Sequence, residues 1–186
     1  MLKYNDLNSI INTAEYRNIN ESYMRKFKTP YYETFDIFLC HSSSDIDEIV
    51  KLKTYLLRKY NKKAYVCEVD DPQLDPAKAN RETAKTLQER MNASSELYFV
   101  LSKNTQKSIW MPWELGYFDG TKTNKNIKIF PLIDKVEEEI FNFEGQEYLE
   151  LYSIFERDES YYKALKFKHS IDKLTRFGVS NHTMRI

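Results

Sequence analysis

The chain has 186 residues, enough for one sizeable hydrophobic core and somewhat short for two. Its 28 basic and 28 acidic side chains balance, so no net field attracts nucleic acid or an anionic membrane. No run approaches the roughly 20 apolar residues that span a bilayer, and residues 1–10 lack the pattern of a secretory signal. We therefore expect a cytoplasmic protein with one main domain, no nucleic-acid partner and no membrane segment.

The first strong pattern follows a polar stretch. Residues 1–33 have scattered apolar positions and predict a helical N-terminal extension. Phe35–Cys40 (FDIFLC) is a short apolar run typical of a strand buried on both faces, and we interpret it as the central strand of a parallel sheet. Capping residues at 41–45 (HSSSD) then precede apolar side chains at helical spacing over 46–60, which predict a helix.

The same alternation continues along the chain. Residues 64–69 predict a second strand, and the two prolines within 70–76 predict a stiff loop, because proline is excluded from helix interiors and central strands. Later patterns predict helices over 78–91 and 108–120, strands over 97–101 and 127–133, and weaker elements over 148–155 (strand) and 161–177 (helix). This order predicts an α/β fold, a doubly wound parallel sheet with right-handed crossovers.

In such a sheet, ligands bind beyond the carboxyl ends of the strands, where the strand order reverses. Three segments are predicted to meet there: 41–45, 70–76 and 104–114. The serine run could hold an anion at a helix start, although plain helix capping is the simpler interpretation. Cys40 and Cys67 lie in apolar runs and read as core residues, so neither a disulfide nor a metal site is expected.

Glu114 is the acid that the sequence singles out. Pro112 belongs in the first turn of a helix, which places Glu114 where the helix dipole favours an ionised carboxylate. Trp110 precedes it by four residues and shares its face, so a flat cation could stack there, whereas Trp113 is expected in the core. One carboxylate suits glycosidic cleavage when the leaving group departs neutral, as nicotinamide does from NAD+. A purely capping role for Glu114 is the alternative.

Two motifs resemble the Toll/interleukin-1 receptor (TIR) domain family. Phe35–Asp45 is similar to its first box, and Trp110-Met-Pro-Trp-Glu114 fits the W-x-x-x-E pattern of its NAD-consuming members. Residues 70–76 take the place of its mobile loop, without the Arg-Asp-Pro-Gly form common in receptors. The resemblance covers 34–134 and implies a flavodoxin-like doubly wound sheet, with 135–186 completing a domain over 34–186.

The resemblance also implies roles for residues. Glu114 would be catalytic, Trp110 would stack near the nicotinamide, and Asp45 would stabilise the first loop. Leu74 and Asp75 would lie on the loop that closes over the substrate or meets a neighbouring subunit. The expected lining of the nucleotide site consists of Leu39, Cys40, His41, Ser42 and Ser43.

The activity that the resemblance implies is that of an NAD+ nucleosidase or ADP-ribosyl cyclase, with NAD+ as substrate, no other cofactor and no metal. Its nucleotide product would signal to a downstream effector in Thoeris-type anti-phage defence, and the protein would self-associate through TIR–TIR contacts. Two alternatives stay open: a non-catalytic interaction module, and a nucleoside deoxyribosyltransferase, whose similar sheet also presents a glutamate to a ribose.

Overall fold

The structure of the chain, a computed structural model, describes residues 33–74, 79–132 and 145–155. The predicted extension over 1–33, apart from its last residue, and the predicted closing helix over 161–177 lie outside these ranges. The boundaries of the domain therefore stay a prediction.

A five-stranded sheet forms the centre of the described part of the chain. Its spatial order is β2-β1-β3-β4-β5, and every pair of neighbours is parallel. The strand order reverses between β1 and β3, which is the flavodoxin-like arrangement. The strands are β1 (Phe35–Cys40), β2 (Ala64–Tyr65), β3 (Ser94–Leu101), β4 (Ile127–Pro131) and β5 (Ser153–Ile154).

The predicted fold class is confirmed, with three corrections to the strands. β1 is an interior strand between β2 and β3, but β3 holds the middle position that was expected for β1. β2 ends at Tyr65, four residues earlier than predicted, because the chain turns into a short helix at Cys67. Of the predicted last strand over 148–155, only Ser153–Ile154 pairs with the sheet.

Four α-helices lie in the described residues. They are α1 (Ile46–Tyr60), α2 (Cys67–Asp70), α3 (Arg81–Asn92) and α4 (Met111–Thr121). α1 ends where Asn61 takes a left-handed conformation (φ 53°) and donates its N–H to the Leu56 carbonyl. α3 is capped by Asn80, whose side chain accepts the Thr83 N–H at 2.9 Å just before the helix begins. None of the described helices combines the length and apolar character that crossing a bilayer requires.

The helices cover both faces of the sheet. Ile37 and Leu39 of β1 share one apolar cluster with Ile49 and Leu52 of α1. The alternate side chains of a strand point to the other face, where α3 and α4 contact β1 and β3. There, the Cys40 thiol donates to the Met111 carbonyl at 3.6 Å. The sheet is therefore doubly wound, and the N-terminus of α4 lies against the carboxyl end of β1.

Candidate active site

A cleft opens beyond the carboxyl ends of β1 and β2, next to the first turn of α4. The space between its walls, counted together with the solvent at its open mouth, is about 340 Å³. Its lining consists of Phe38, Leu39, His41, Ser43, Cys67, Glu68, Leu87, Ser108, Trp110 and Glu114.

Glu114 sits in the first turn of α4, as predicted. Pro112 lies in the same turn, and the Ser108 hydroxyl accepts the Met111 N–H at 3.3 Å just before the helix. The Glu114 N–H donates to the Trp110 carbonyl at 2.8 Å, which closes the first helical turn. Trp110 and Glu114 consequently lie on one face of the helix, and both line the cleft.

The charge state of Glu114 differs from the one expected at a helix N-terminus. The residue is only 6% exposed, and this burial raises the pKa of its carboxyl from 4.5 to about 7. A hydrogen bond from Cys40 and the charge of His41 lower the pKa, whereas the charge of Glu68 raises it. Desolvation therefore outweighs the favourable influences that the sequence predicted, and Glu114 is poised between acid and carboxylate near neutral pH.

His41 forms an ion pair with Glu68 inside the cleft. Its Nδ1 donates to the Leu39 carbonyl at 2.8 Å, and its Nε2 donates to Glu68 Oε2 at 3.1 Å. Burial lowers the pKa of His41, but the charge and hydrogen bond of Glu68 outweigh it and raise the pKa to about 9. Burial by itself would raise the pKa of Glu68. The charge and hydrogen bond of His41 outweigh burial and lower this pKa to about 2. Both groups are charged at neutral pH.

The two tryptophans have different surroundings. The half-buried Trp110 lines the cleft, and its ring meets that of Trp113 edge-on at 5.4 Å between centroids. Trp113 in turn stacks on Tyr117 at 5.9 Å. The expectation that Trp113 packs in the core is wrong, because Trp113 is only half-buried. It supports the edge of Trp110 instead.

Asp45 ties together the loops that follow β1 and β3. It is 2% exposed, and its two carboxylate oxygens accept from the Ser102 hydroxyl at 2.5 Å and the Asn104 amide at 2.6 Å. Its backbone N–H donates to the Ser42 carbonyl at 2.9 Å. These bonds cross the point where the strand order reverses. Asp45 thus contacts both loops, and its role in stabilising the first loop stays a prediction.

The predicted binding residues divide into two groups. Leu39, His41, Ser43 and Trp110 line the cleft together with Glu114. The others lie outside the lining. Cys40 is buried and forms a hydrogen bond to Glu114, and Ser42 is buried in the loop after β1. Leu74 follows α2, where its N–H donates to the Asp71 carbonyl. Asp75 lies outside the described residues. The substrate-binding roles of all these residues stay predictions.

Sequence reasoning missed Cys67 and Glu68, which form the second wall of the cleft. They were assigned to a strand, where an acid would have had no reason to face the site. In the structure they belong to α2, which is held by two buried ion pairs beyond the reach of local pattern. Lys53 bonds Asp70 at 2.7 Å, and Arg90 bonds Asp71 at 2.7 Å. The sequence did contain a signal for Glu68, namely an acid inside an apolar run, because a buried acid needs a partner.

Within residues 33–74, 79–132 and 145–155, no three His, Cys, Asp or Glu side chains are grouped so that they could hold a metal ion. The cleft presents a buried carboxyl, an ion pair and an aromatic wall to a ligand.

Comparison with known proteins places the chain in a family, although no family model matches it. A curated relative is 40% identical over 141 residues, which cover 76% of this chain and 69% of the relative. At this identity and coverage, the chain belongs to the same family as that relative, the TIR domain family. That relative is the protein of Bacillus cereus (strain MSX-D12) described as "Probable 3' cyclic ADP-D-ribose synthase ThsB'".

A solved structure is also similar in part. It is the TIR domain of the Toll-related receptor TRR-2 from Hydra magnipapillata, at 14% sequence identity and a TM-score of 0.42. The similarity covers 76% of this chain and 99% of that one.

Proposed function

We propose that the chain is an NAD+ nucleosidase and ADP-ribosyl cyclase, which breaks the bond between nicotinamide and ribose and makes a cyclic ADP-ribose. The observation that carries the proposal is the placement of Glu114 and Trp110 on one face of α4, in a cleft at the reversal of strand order. The 40% identity to a protein described as a 3' cyclic ADP-D-ribose synthase supports the same activity.

Glu114 and Trp110 fit the bond-breaking step. The C–N bond between ribose and the pyridinium ring breaks, and its electron pair leaves with nicotinamide as a neutral molecule. No acid is needed for this leaving group, whereas the ribose develops positive charge as an oxocarbenium ion. A carboxylate at Glu114 would stabilise that charge and accept hydrogen bonds from the ribose hydroxyls. The indole of Trp110 offers a flat, electron-rich face to the departing ring.

The same carboxylate suits ring closure. If a sugar hydroxyl of the same molecule attacks the oxocarbenium carbon, a C–O bond forms and the hydroxyl proton needs an acceptor. Glu114 is placed to receive it, and a carboxyl with a pKa near neutrality accepts and returns a proton efficiently around pH 7. If water attacks instead, the same transfer gives linear ADP-ribose. The choice between the two depends on which nucleophile the closed site admits.

The proposal extends to partners. The nucleotide product would act as a signal that a separate effector senses in anti-phage defence, and the enzyme would self-associate through TIR–TIR contacts. Leu74 is half-buried at the edge of the loop that was predicted to make such contacts. The cytoplasmic location expected from the sequence stays a prediction.

Purified protein incubated with NAD+ tests the activity, with nicotinamide release measured by chromatography and products by mass. Glu114→Gln keeps the shape of the side chain and removes the carboxylate, so it should abolish release. Glu82→Gln is the matched control, because Glu82 is an exposed acid in the first turn of α3. Equal release from wild type and Glu114→Gln would refute the proposal. Assembly of the protein without turnover of NAD+ would favour the interaction module. Cleavage of deoxynucleosides but not of NAD+ would favour the deoxyribosyltransferase.

A further inference from the structure

The His41–Glu68 ion pair has no part in the reaction described above, although it lies in the cleft with Glu114. His41 follows directly after β1, and Glu68 belongs to α2 beyond β2. The pair thus joins the ends of two neighbouring strands. It also places one positive and one negative charge beside a buried carboxyl.

The contacts of His41 define its protonation state. Its Nδ1 lies 2.8 Å from the Leu39 carbonyl and its Nε2 lies 3.1 Å from the Glu68 carboxylate. Both partners only accept hydrogen bonds, so each ring nitrogen carries a hydrogen, which makes the ring an imidazolium. The His41 side chain is 5% exposed, and little water is available to replace either partner. Without Glu68, nothing in these contacts requires the second ring hydrogen.

We propose that Glu68 is a positioning residue for the reaction at Glu114: it holds His41 as a cation, and that cation stabilises the carboxylate form of the buried Glu114 side chain. The effect on catalysis rests on the proposed function, whereas the effect on the two side chains does not. Glu68 acts through His41 and Glu114 and needs no contact with substrate.

The groups around Glu114 set the sign of the effect. The end of β1 presents Cys40 and His41, and α2 presents Cys67 and Glu68, while α3 faces the cleft with the apolar Leu87. Burial keeps the pKa of both thiols above the ordinary value, so the cysteines stay neutral. His41 lowers the pKa of Glu114 by more than Glu68 raises it. The intact pair therefore favours the carboxylate.

Two substitutions separate the charges. Glu68→Gln removes the negative charge and lets His41 become neutral, so both charges vanish and the pKa of Glu114 rises. His41→Gln removes the positive charge and leaves the buried Glu68 beside Glu114 without its partner, so the pKa of Glu114 rises at least as far. A purely structural role for the pair predicts no such order. Glu96→Gln is a matched control, because Glu96 pairs with Lys128 at 3.1 Å near the amino end of β3.

The first measurement is the titration of His41 by NMR, which requires no substrate. His41→Gln identifies the His41 signal among the three histidines of the chain. We expect His41 to stay protonated well above pH 7 in wild type and Glu96→Gln, and to titrate near or below its ordinary value of roughly 6.5 in Glu68→Gln. The same titration midpoint in all three proteins would overturn the proposal.

The second measurement connects the pair to Glu114. The pH dependence of kcat/KM for nicotinamide release should move to higher pH in Glu68→Gln, with a lower carboxylate fraction on the acid side, and at least as far in His41→Gln. The carboxyl carbon of Glu114, followed in ¹³C-labelled protein, should show the same order without turnover. An unmoved Glu114 titration would refute the proposal, whereas loss of turnover alone with the expected titrations would refute only the proposed function.

Discussion

The backbone N–H of Glu114 donates to the carbonyl of Trp110 at 2.8 Å, and this one helical turn sets a buried carboxyl and an indole ring side by side in the cleft. Ser108 and Pro112 fix where the turn begins. The carboxyl gains its unusual pKa from burial, and the ring gains its place from the helix. Both properties come from a stretch of seven residues, Ser108–Glu114, packed against the end of β1.

The reaction should follow the ionisation of Glu114. Because burial raises the pKa of this carboxyl to about 7, kcat/KM for nicotinamide release should increase between pH 6 and 8 and level off above, instead of being constant from about pH 5. Initial rates across this range provide the measurement. A profile that is flat from pH 5 to 8 would show that the buried carboxyl does not control the reaction.

The free energy of unfolding should also depend on the ionisation of Glu114. The folded protein holds the proton of Glu114 up to about pH 7, whereas the unfolded chain releases it near 4.5, so this stabilisation is complete below pH 4.5 and is lost as pH rises through 7. Relative to Glu114→Gln, wild type should lose about 3 kcal/mol in its free energy of unfolding between pH 4.5 and 8. Urea denaturation at several pH values measures this difference.

Glu82→Gln controls for the stability comparison, because its difference from wild type should not follow this curve. A wild-type minus Glu114→Gln difference that stays constant with pH, or increases with it, would contradict a raised pKa at Glu114.

Trp110 should contribute more to substrate binding than Trp113. Trp110→Ala removes the ring that lines the cleft, and loss of stacking and cation–π attraction of about 0.5–2 kcal/mol should raise the KM for NAD+ by roughly 2- to 30-fold. Trp110→Phe keeps a flat ring and should lose less. Trp113→Ala removes only the supporting edge contact. Steady-state kinetics distinguish them, and equal effects of the two alanine substitutions would argue against stacking on Trp110.

Asp45 should stabilise the fold through its bonds across the sheet. Asp45→Ala leaves the Ser102 hydroxyl and Asn104 amide without their carboxylate, and we expect a loss of about 2–3 kcal/mol in the free energy of unfolding. Ser44→Ala, at an exposed position one residue earlier, should change it by less than about 0.5 kcal/mol. Urea denaturation of both variants measures these changes. Similar losses of stability in the two variants would mean that the hydrogen bonds of Asp45 contribute nothing measurable to the free energy of unfolding.

The parts of the fold with strong local patterns could be read from the sequence. Phe35–Cys40 is a strand with the predicted bounds, because an unbroken apolar run bounded by capping residues has few other solutions. The helix of Glu114 was predicted from Pro112, whose fixed backbone angle suits a first turn. Residues 64–69 were misread because an apolar run alone does not distinguish a buried strand from a short buried helix.

The candidate site was predictable in position but not in electrostatics. The alternating pattern placed the first box and Glu114 at the same edge of the sheet, and both line the cleft. The helix dipole predicted an ionised Glu114, but the extent of burial, which decides the pKa, depends on how β1, α2 and α4 pack together. The His41–Glu68 pair joins residues 27 positions apart, and its partners become visible only in the folded chain.

The most direct test of the account is the mass spectrometry of nucleotides in cells that express wild type, Glu114→Gln or Glu82→Gln, with and without phage challenge. Wild type and Glu82→Gln should deplete NAD+ and accumulate a cyclic ADP-ribose, and Glu114→Gln should do neither. The same nucleotides at the same levels in wild-type and Glu114→Gln cells under challenge would contradict the claim that this buried carboxyl carries the reaction.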